Sequence, residues 1–208
     1  MRAVSKAGNM PGAWCRAQLL MLAMLVGGPG LHVSLPGWAE SVPAQSAESP
    51  VDLAPGGNYA AGITLRIPRQ EWSFKIPPQW HATVFEDSEL PFLISDEGRS
   101  MGMMFPLAHA TAEEVENELS QPLSLSQGVS FVPTGRLERM ESRLRRSYVS
   151  DETVGRALAV KGPSDQWIIY FLMGPESEAE DYDAILAQLA DATEFGVKES
   201  GSLPREGT

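Results

Sequence analysis

Cysteine is almost absent from this chain of 208 residues: Cys15 is the only one. It precedes the apolar run Ala17–Gly28, whereas a cysteine destined for acylation would follow such a run, which speaks against a lipid anchor. Beyond Cys15 there is no disulfide, thiol nucleophile or cysteine metal cage, so the folded part must be held by its own apolar core. Basic residues are scarce too, 16 Lys and Arg against 27 Asp and Glu. Residues 1–44 hold three of the former (Arg2, Lys6, Arg16) and one of the latter (Glu40), which leaves 13 against 26 in the remainder, a net of −13. Such a chain repels phosphate backbones and anionic bilayers, so neither nucleic acid nor a membrane surface is an expected partner. The same charge suits a secreted domain, or one that meets basic or cationic partners. Catalytic signatures are missing as well. There is no G-x-S-x-G, H-E-x-x-H, phosphate loop, dinucleotide fingerprint or calcium loop. No cofactor is expected.

A long hydrophobic run is the last absence. "AQLLMLAMLVGG", Ala17 to Gly28, carries no charge but falls short of the roughly 20 apolar residues of a spanning helix. Arg2, Lys6 and Arg16 precede it, and Gly27-Gly28-Pro29-Gly30 interrupts it. Small residues at Gly37 and Ala39, or Val42 and Ala44, offer cleavage sites. This layout predicts a signal peptide over 1–44, an exported protein of periplasm or extracellular space, and no stable membrane insertion after cleavage; the alternative is an uncleaved anchor. Residues 45–62, rich in Pro, Ser, Ala and Gly, read as a flexible linker, and 198–208 as a disordered tail. Between them, 63–197 is long enough for one domain with a sizeable core.

Period-two alternation dominates the start of that domain: Ile63, Leu65, Ile67, then Trp72, Phe74, Ile76. "WHATVFED", "LPFLI" and "SMGMMFPLA" continue as strands. The period then lengthens. Thr111 with Glu114 three residues later has capping-box spacing, and Ala112, Val115 and Leu119 make a helical stripe that Pro122 ends. Strands resume through "GVSFVPTGRLERM" and "SRLRRSYVSD", with a turn near Glu141-Ser142, although Leu137, Met140 and Leu144 also fit a helix face. "VGRALAVKG" and "WIIYFLMGP" follow, and the nearly all-apolar Ile168–Met173 predicts a strand covered on both faces. Last comes a helix begun by Ser177 and Glu180, a second capping-box spacing, with Tyr182, Ile185, Leu186 and Leu189 on one face. Phe195 is expected to return to the core. The pattern is α+β, with an antiparallel sheet of six to seven strands, a helix after the first strands and a C-terminal helix.

The stretch "WSFKIPPQW" (Trp72 to Trp80), followed in order by "SFVPTG", "LRRSY", "GRALAV", "WIIYFLMG" and a final helix ending "ATEF", resembles the PsbP-like family over Ile63 to Phe195. That family includes an extrinsic photosystem II subunit, a Ran-binding transport factor and exported bacterial proteins. The resemblance implies an α/β/α sandwich and no catalytic residue.

Three features carry chemistry. "SMGMMF" with the nearby histidine offers Met101, Met103 and His109 as soft ligands suited to Cu(I). Against this, strand alternation puts Met101 and Met103 on one face and Met104 on the other, the pattern of core packing. Arg136, Arg139, Arg143, Arg145 and Arg146 form the only basic cluster, either a docking patch for an acidic protein or, with Glu138 and Glu141 interleaved, a solvated face of cross-strand pairs. "FEDSE" and "ESEAED" concentrate carboxylates, the first as a turn and the second at a helix start. The reading that follows is an exported, non-enzymatic binding or accessory domain acting on an unidentified protein partner; the alternative is a small-ligand or copper-binding protein.

Overall fold

The computed structural model describes residues 49–86, 88–125, 128–151 and 153–196. The expected signal peptide and C-terminal tail lie outside these residues. The described residues form an α+β fold of two sheets and two α-helices. Its centre is β12 (Trp167–Gly174), buried along its whole length. On one side β12 pairs with β11 (Val154–Lys161), and on the other with β7 (Met101–Leu107). Beyond β11 lie β10 (Arg143–Val149), β9 (Ser130–Met140) and β8 (Leu123–Ser124). Beyond β7 lie β6 (Phe92–Ser95), β5 (Trp80–Thr83) and β2 (Asn58–Tyr59). All these pairings are antiparallel.

Nine strands in this sheet replace the six to seven expected. Two of the nine, β2 and β8, are two residues long. A two-residue strand has no alternation to read, and only its neighbour's hydrogen bonds create it. The pairs "ITLRIP" and "WSFKIP" do not join this sheet. β3 (Thr64–Ile67) and β4 (Trp72–Lys75) form a smaller one with β1 (Val51–Asp52) and β13 (Glu194–Phe195), in the order β1-β3-β4-β13. β1 runs parallel to β3, and Arg66 of β3 donates two hydrogen bonds to the Asp52 carboxylate at 2.5 and 2.9 Å. Residues 51–59 thus carry β1 and β2, where sequence composition suggested a flexible linker.

Alternation along β12 splits the interior into two cores. Ile168, Tyr170 and Leu172 point to one face, and Trp167, Ile169, Phe171 and Met173 to the other. The first face is covered by α2 (Ala179–Asp191), through Tyr182, Leu186 and Leu189, and by the small sheet, through Leu65, Ile67, Trp72 and Phe74. The covering layer there is part helix and part sheet, which departs from the helical layer that a plain α/β/α arrangement would have. The second face is covered by α1 (Ala112–Leu119), through Val115 and Leu119. Hydrogen bonds to buried polar tips fix these layers. Tyr148 of β10 donates to the Leu119 carbonyl at 2.8 Å, and Trp167 Nε1–H donates to the Ala110 carbonyl at 3.0 Å.

α1 begins at the expected capping box: Thr111 Oγ1 accepts from the Glu114 amide, and the Glu114 carboxylate accepts from the Thr111 amide. α2 does not begin as expected. Ser177 sits inside a 3-10 turn, Glu176–Glu178, and no side chain caps the helix. The segment Leu137–Leu144 is strand, not helix, with the turn at Glu141-Ser142.

Candidate functional site

The turn between β6 and β7 and the start of α2 meet at one end of the large sheet. Gly98 turns the chain at φ 69, and Ser100 follows it into the interior, 2% exposed. The Ser100 amide donates to Ser95 Oγ at 3.1 Å, and its carbonyl accepts from the Ser95 amide at 3.0 Å, so the side chain and the backbone of Ser95 together hold the Ser100 backbone. Its hydroxyl donates to the Glu178 carboxylate and lies 2.7 Å from Tyr182 Oη. Serine has one proton to give, and it is committed to Glu178, so Tyr182 must be the donor to Ser100. A directed chain results: Tyr182 O–H to Ser100 O–H to Glu178. Arg99 closes its far end, 2.9 Å from the other Glu178 oxygen, while also pairing with Glu97. Burial pushes the Tyr182 phenol above its ordinary range, with the Glu178 charge adding to the rise and the Ser100 bond opposing it. Gly174 makes room for all of this. A Cβ there would lie 2.5 Å from Ser100 Oγ and closer still to Tyr182 Oη.

Beside the chain lies a groove of about 460 Å³. Its apolar wall is Pro78, Trp80 and Ile185, and its rim carries Asp96, Glu97, Glu178 and Asp181 against the single cation Arg99. Gln79 borders it with left-handed backbone, φ 64, and its carbonyl accepts from the Asp96 amide at 2.9 Å. That bond fixes where the Asp96 carboxylate starts. His81 Nδ1 stands 3.5 Å from the Asp96 carboxylate. A second groove, about 440 Å³, lies by Arg66, Glu71, Trp72 and Phe195 at the small sheet.

The five arginines are divided by the sheet. Leu144 and Tyr148 of β10 face the α1 core, so Arg146 between them faces that side, and Arg143 and Arg145 face α2. There Arg143 bonds Asp191 at 2.6 Å, and Arg145 bonds Glu138 at 2.5 Å and stands 3.5 Å from Asp183. Arg139 grips Glu116 of α1 with two bonds of 2.6 and 2.7 Å. Arg146 donates to the Gly135 carbonyl at 2.9 Å across the β9–β10 register shift. Arg136 is exposed and has no ion pair among the described residues. Four of the five are thus engaged within the domain, and the five share no common face.

The methionines and His109 are not gathered. Met103 is in the α1 core with Met101 beside it, and Met104 is in the other core. His109 lies past the far end of β7, exposed, with φ 58. Met101 starts the strand, whose two ends are roughly 20 Å apart. Trp72, Trp80 and Trp167 are buried. Of the acidic runs, "ESEAED" supplies Glu178 and Asp181 to the groove, while Glu89 of "FEDSE" pairs with Arg69. No motif or periodicity in the sequence singles out "GRS", with Arg99 and Ser100. Its link to Tyr182 spans 82 residues, and no local pattern signals it.

No protein-family model and no curated protein matches the chain. Solved structures similar to it include the Ran-binding protein Mog1p of Saccharomyces cerevisiae, 8% identical, covering 64% of this chain and 94% of that one, TM-score 0.39. Cyanobacterial PsbP from Synechocystis sp. PCC 6803 is another, 9% identical, covering 67% of this chain and 91% of that one, TM-score 0.41. One is a PsbP and the other a Ran-binding protein, the two kinds of protein that the PsbP-like resemblance names. At such TM-scores neither likeness carries an argument about what this chain does.

Proposed function

We propose that this protein is an exported, non-enzymatic accessory domain that acts by docking a protein partner in the groove beside α2. One observation carries the reading. The polar groups deepest at this site are spent on one another: the Ser100 hydroxyl is buried and donates to Glu178, Tyr182 donates to Ser100, and Arg99 covers Glu178. No free nucleophile faces the groove from this set, whereas its apolar wall and outer carboxylates are open to a surface contact. Export rests on the basic start, short apolar run and small residues of 1–44. Among the described residues no helix is long and apolar enough to cross a membrane.

A photo-crosslinking residue placed at Ile185 in the full chain, made in the producing cell, tests the docking surface. The expected result is a protein adduct from Ile185 that is missing when the same group stands at Glu113 on α1. No adduct at Ile185, or equal adducts from both places, would refute the groove as the contact surface.

A further inference from the structure

We propose that the groove beside α2 receives a lysine or arginine side chain of the partner, with its charged head at Asp96 and Asp181 and its aliphatic stem on Pro78 and Ile185. This inference rests on the docking reading and names the chemistry of the occupant. Four carboxylates and one guanidinium share the rim. The guanidinium of Arg99 is taken up by Glu97 and Glu178. Asp96 and Asp181 are left without a Lys or Arg partner among the described residues; His81 is the one basic group near Asp96, at 3.5 Å. Arg99 is therefore an internal specimen of the ligand. It shows that a guanidinium settles between two carboxylates of this rim, and Asp96 and Asp181 line the same groove without such a cation.

The rest of the groove selects against a bare small cation. Pro78, Trp80 and Ile185 are apolar and border the carboxylates. Lysine and arginine match such a surface, because they lay a methylene stem along apolar groups while the head stays polar. The Asp96 backbone is fixed by the hydrogen bond its amide donates to the Gln79 carbonyl, so only the side chain has to be ordered when the cation arrives. At longer range the chain beyond residue 44 carries 13 basic and 26 acidic residues, which draws basic segments toward it, while the groove adds a local contact that net charge alone cannot.

The test uses the purified full chain and a fluorescent Gly/Ser decapeptide bearing three arginines, with the same peptide bearing three citrullines as its uncharged control. Anisotropy at physiological salt is expected to show binding of the arginine peptide only. Asp96→Asn with Asp181→Asn should weaken it about fivefold. Glu113→Gln with Glu141→Gln, an equal loss of charge elsewhere, should change it less than about twofold. Arg99→Gln should act in the opposite direction and tighten binding about threefold by vacating Glu97 and Glu178, while Arg136→Gln leaves it unchanged. Equal weakening by the two acidic double variants would reduce the effect to net charge and overturn the site. No binding of the arginine peptide would overturn it as well. If the Ile185 adduct forms in cells but the peptide does not bind, docking stands and the basic side chain falls; without the adduct, the docking reading itself fails.

Discussion

Ser100, Tyr182 and Gly174 show how one buried hydroxyl can organise an end of a sheet. Ser100 belongs to the β6–β7 turn, Tyr182 to α2 and Gly174 to the end of β12, and the three come together only because Gly174 has no side chain. Gly174→Ala should therefore act through crowding. The added methyl forces Tyr182 or Ser100 off its hydrogen bond, at a cost of about 2 kcal/mol. Urea unfolding measures this, and a loss under about 0.5 kcal/mol would mean the cluster yields freely. Gly135 and Arg146 make a second local device. Gly135 has φ 66 where β9 slips against β10, and Arg146 spans the slip to the Gly135 carbonyl. This is a β-bulge, placed where the outer strand has a partner for only two of its residues on the far edge. Arg146 looked from the sequence like part of a basic patch. Its role depends on which residue lies across the ladder, and spacing along one strand does not contain that.

α1 and α2 carry closely similar start signals in sequence and begin differently. Thr111 and Glu114 form a reciprocal box, and the two bonds from Thr111 hold the Glu114 carboxyl below its usual range. Ser177 and Glu180 have the same spacing, but the chain leaves β12 through Pro175 into a 3-10 turn, and Glu178 is drawn to Ser100 and Arg99 instead. The tertiary bond outcompeted the local one. The eight-residue α1 depends on its cap more than a long helix would. Thr111→Ala should cost about 1 kcal/mol and raise amide exchange over 112–119 first, read by hydrogen–deuterium exchange. Uniform exchange changes across both helices would argue against a local cap. The central strands were legible for a plain reason. Each has enough residues to show alternation or a continuous apolar run, as Trp167–Gly174 does. β1, β2, β8 and β13 have two residues each, and nothing in so short a stretch separates strand from loop.

Across the whole domain, two cores lie on opposite faces of one sheet, and buried tyrosines bind each to its cover. Tyr148 reaches α1, Tyr182 belongs to α2, and Tyr170 donates to Thr193 at 2.6 Å, since the Thr193 hydroxyl is itself committed to the Leu189 carbonyl. Burial raises all three phenols above their ordinary value. As pH climbs past about 10 the unfolded chain releases phenolic protons that the folded chain retains, so the stability they contribute is complete below that pH and is lost above it. The urea midpoint should hold between pH 8 and 9 and fall by pH 11, with a smaller fall in Tyr148→Phe. A midpoint unchanged at pH 11 would show that these phenols ionise without unfolding.

Composition alone determined that the domain has no cysteine staple and carries excess acid, because counting residues needs no coordinates. Periodicity determined the α+β class, the two helices and the opposite facing of Met103 and Met104, because a side chain's direction in a strand or helix repeats over a few residues. Tertiary structure alone decided that "ITLRIP" and "WSFKIP" leave the main sheet, that the arginines part company, and that Arg99 and Ser100 meet Glu178 and Tyr182 beside a groove. Each of those outcomes is a contact between segments far apart in the chain. It is chosen by competition among many possible partners, and no window of neighbouring residues records the result.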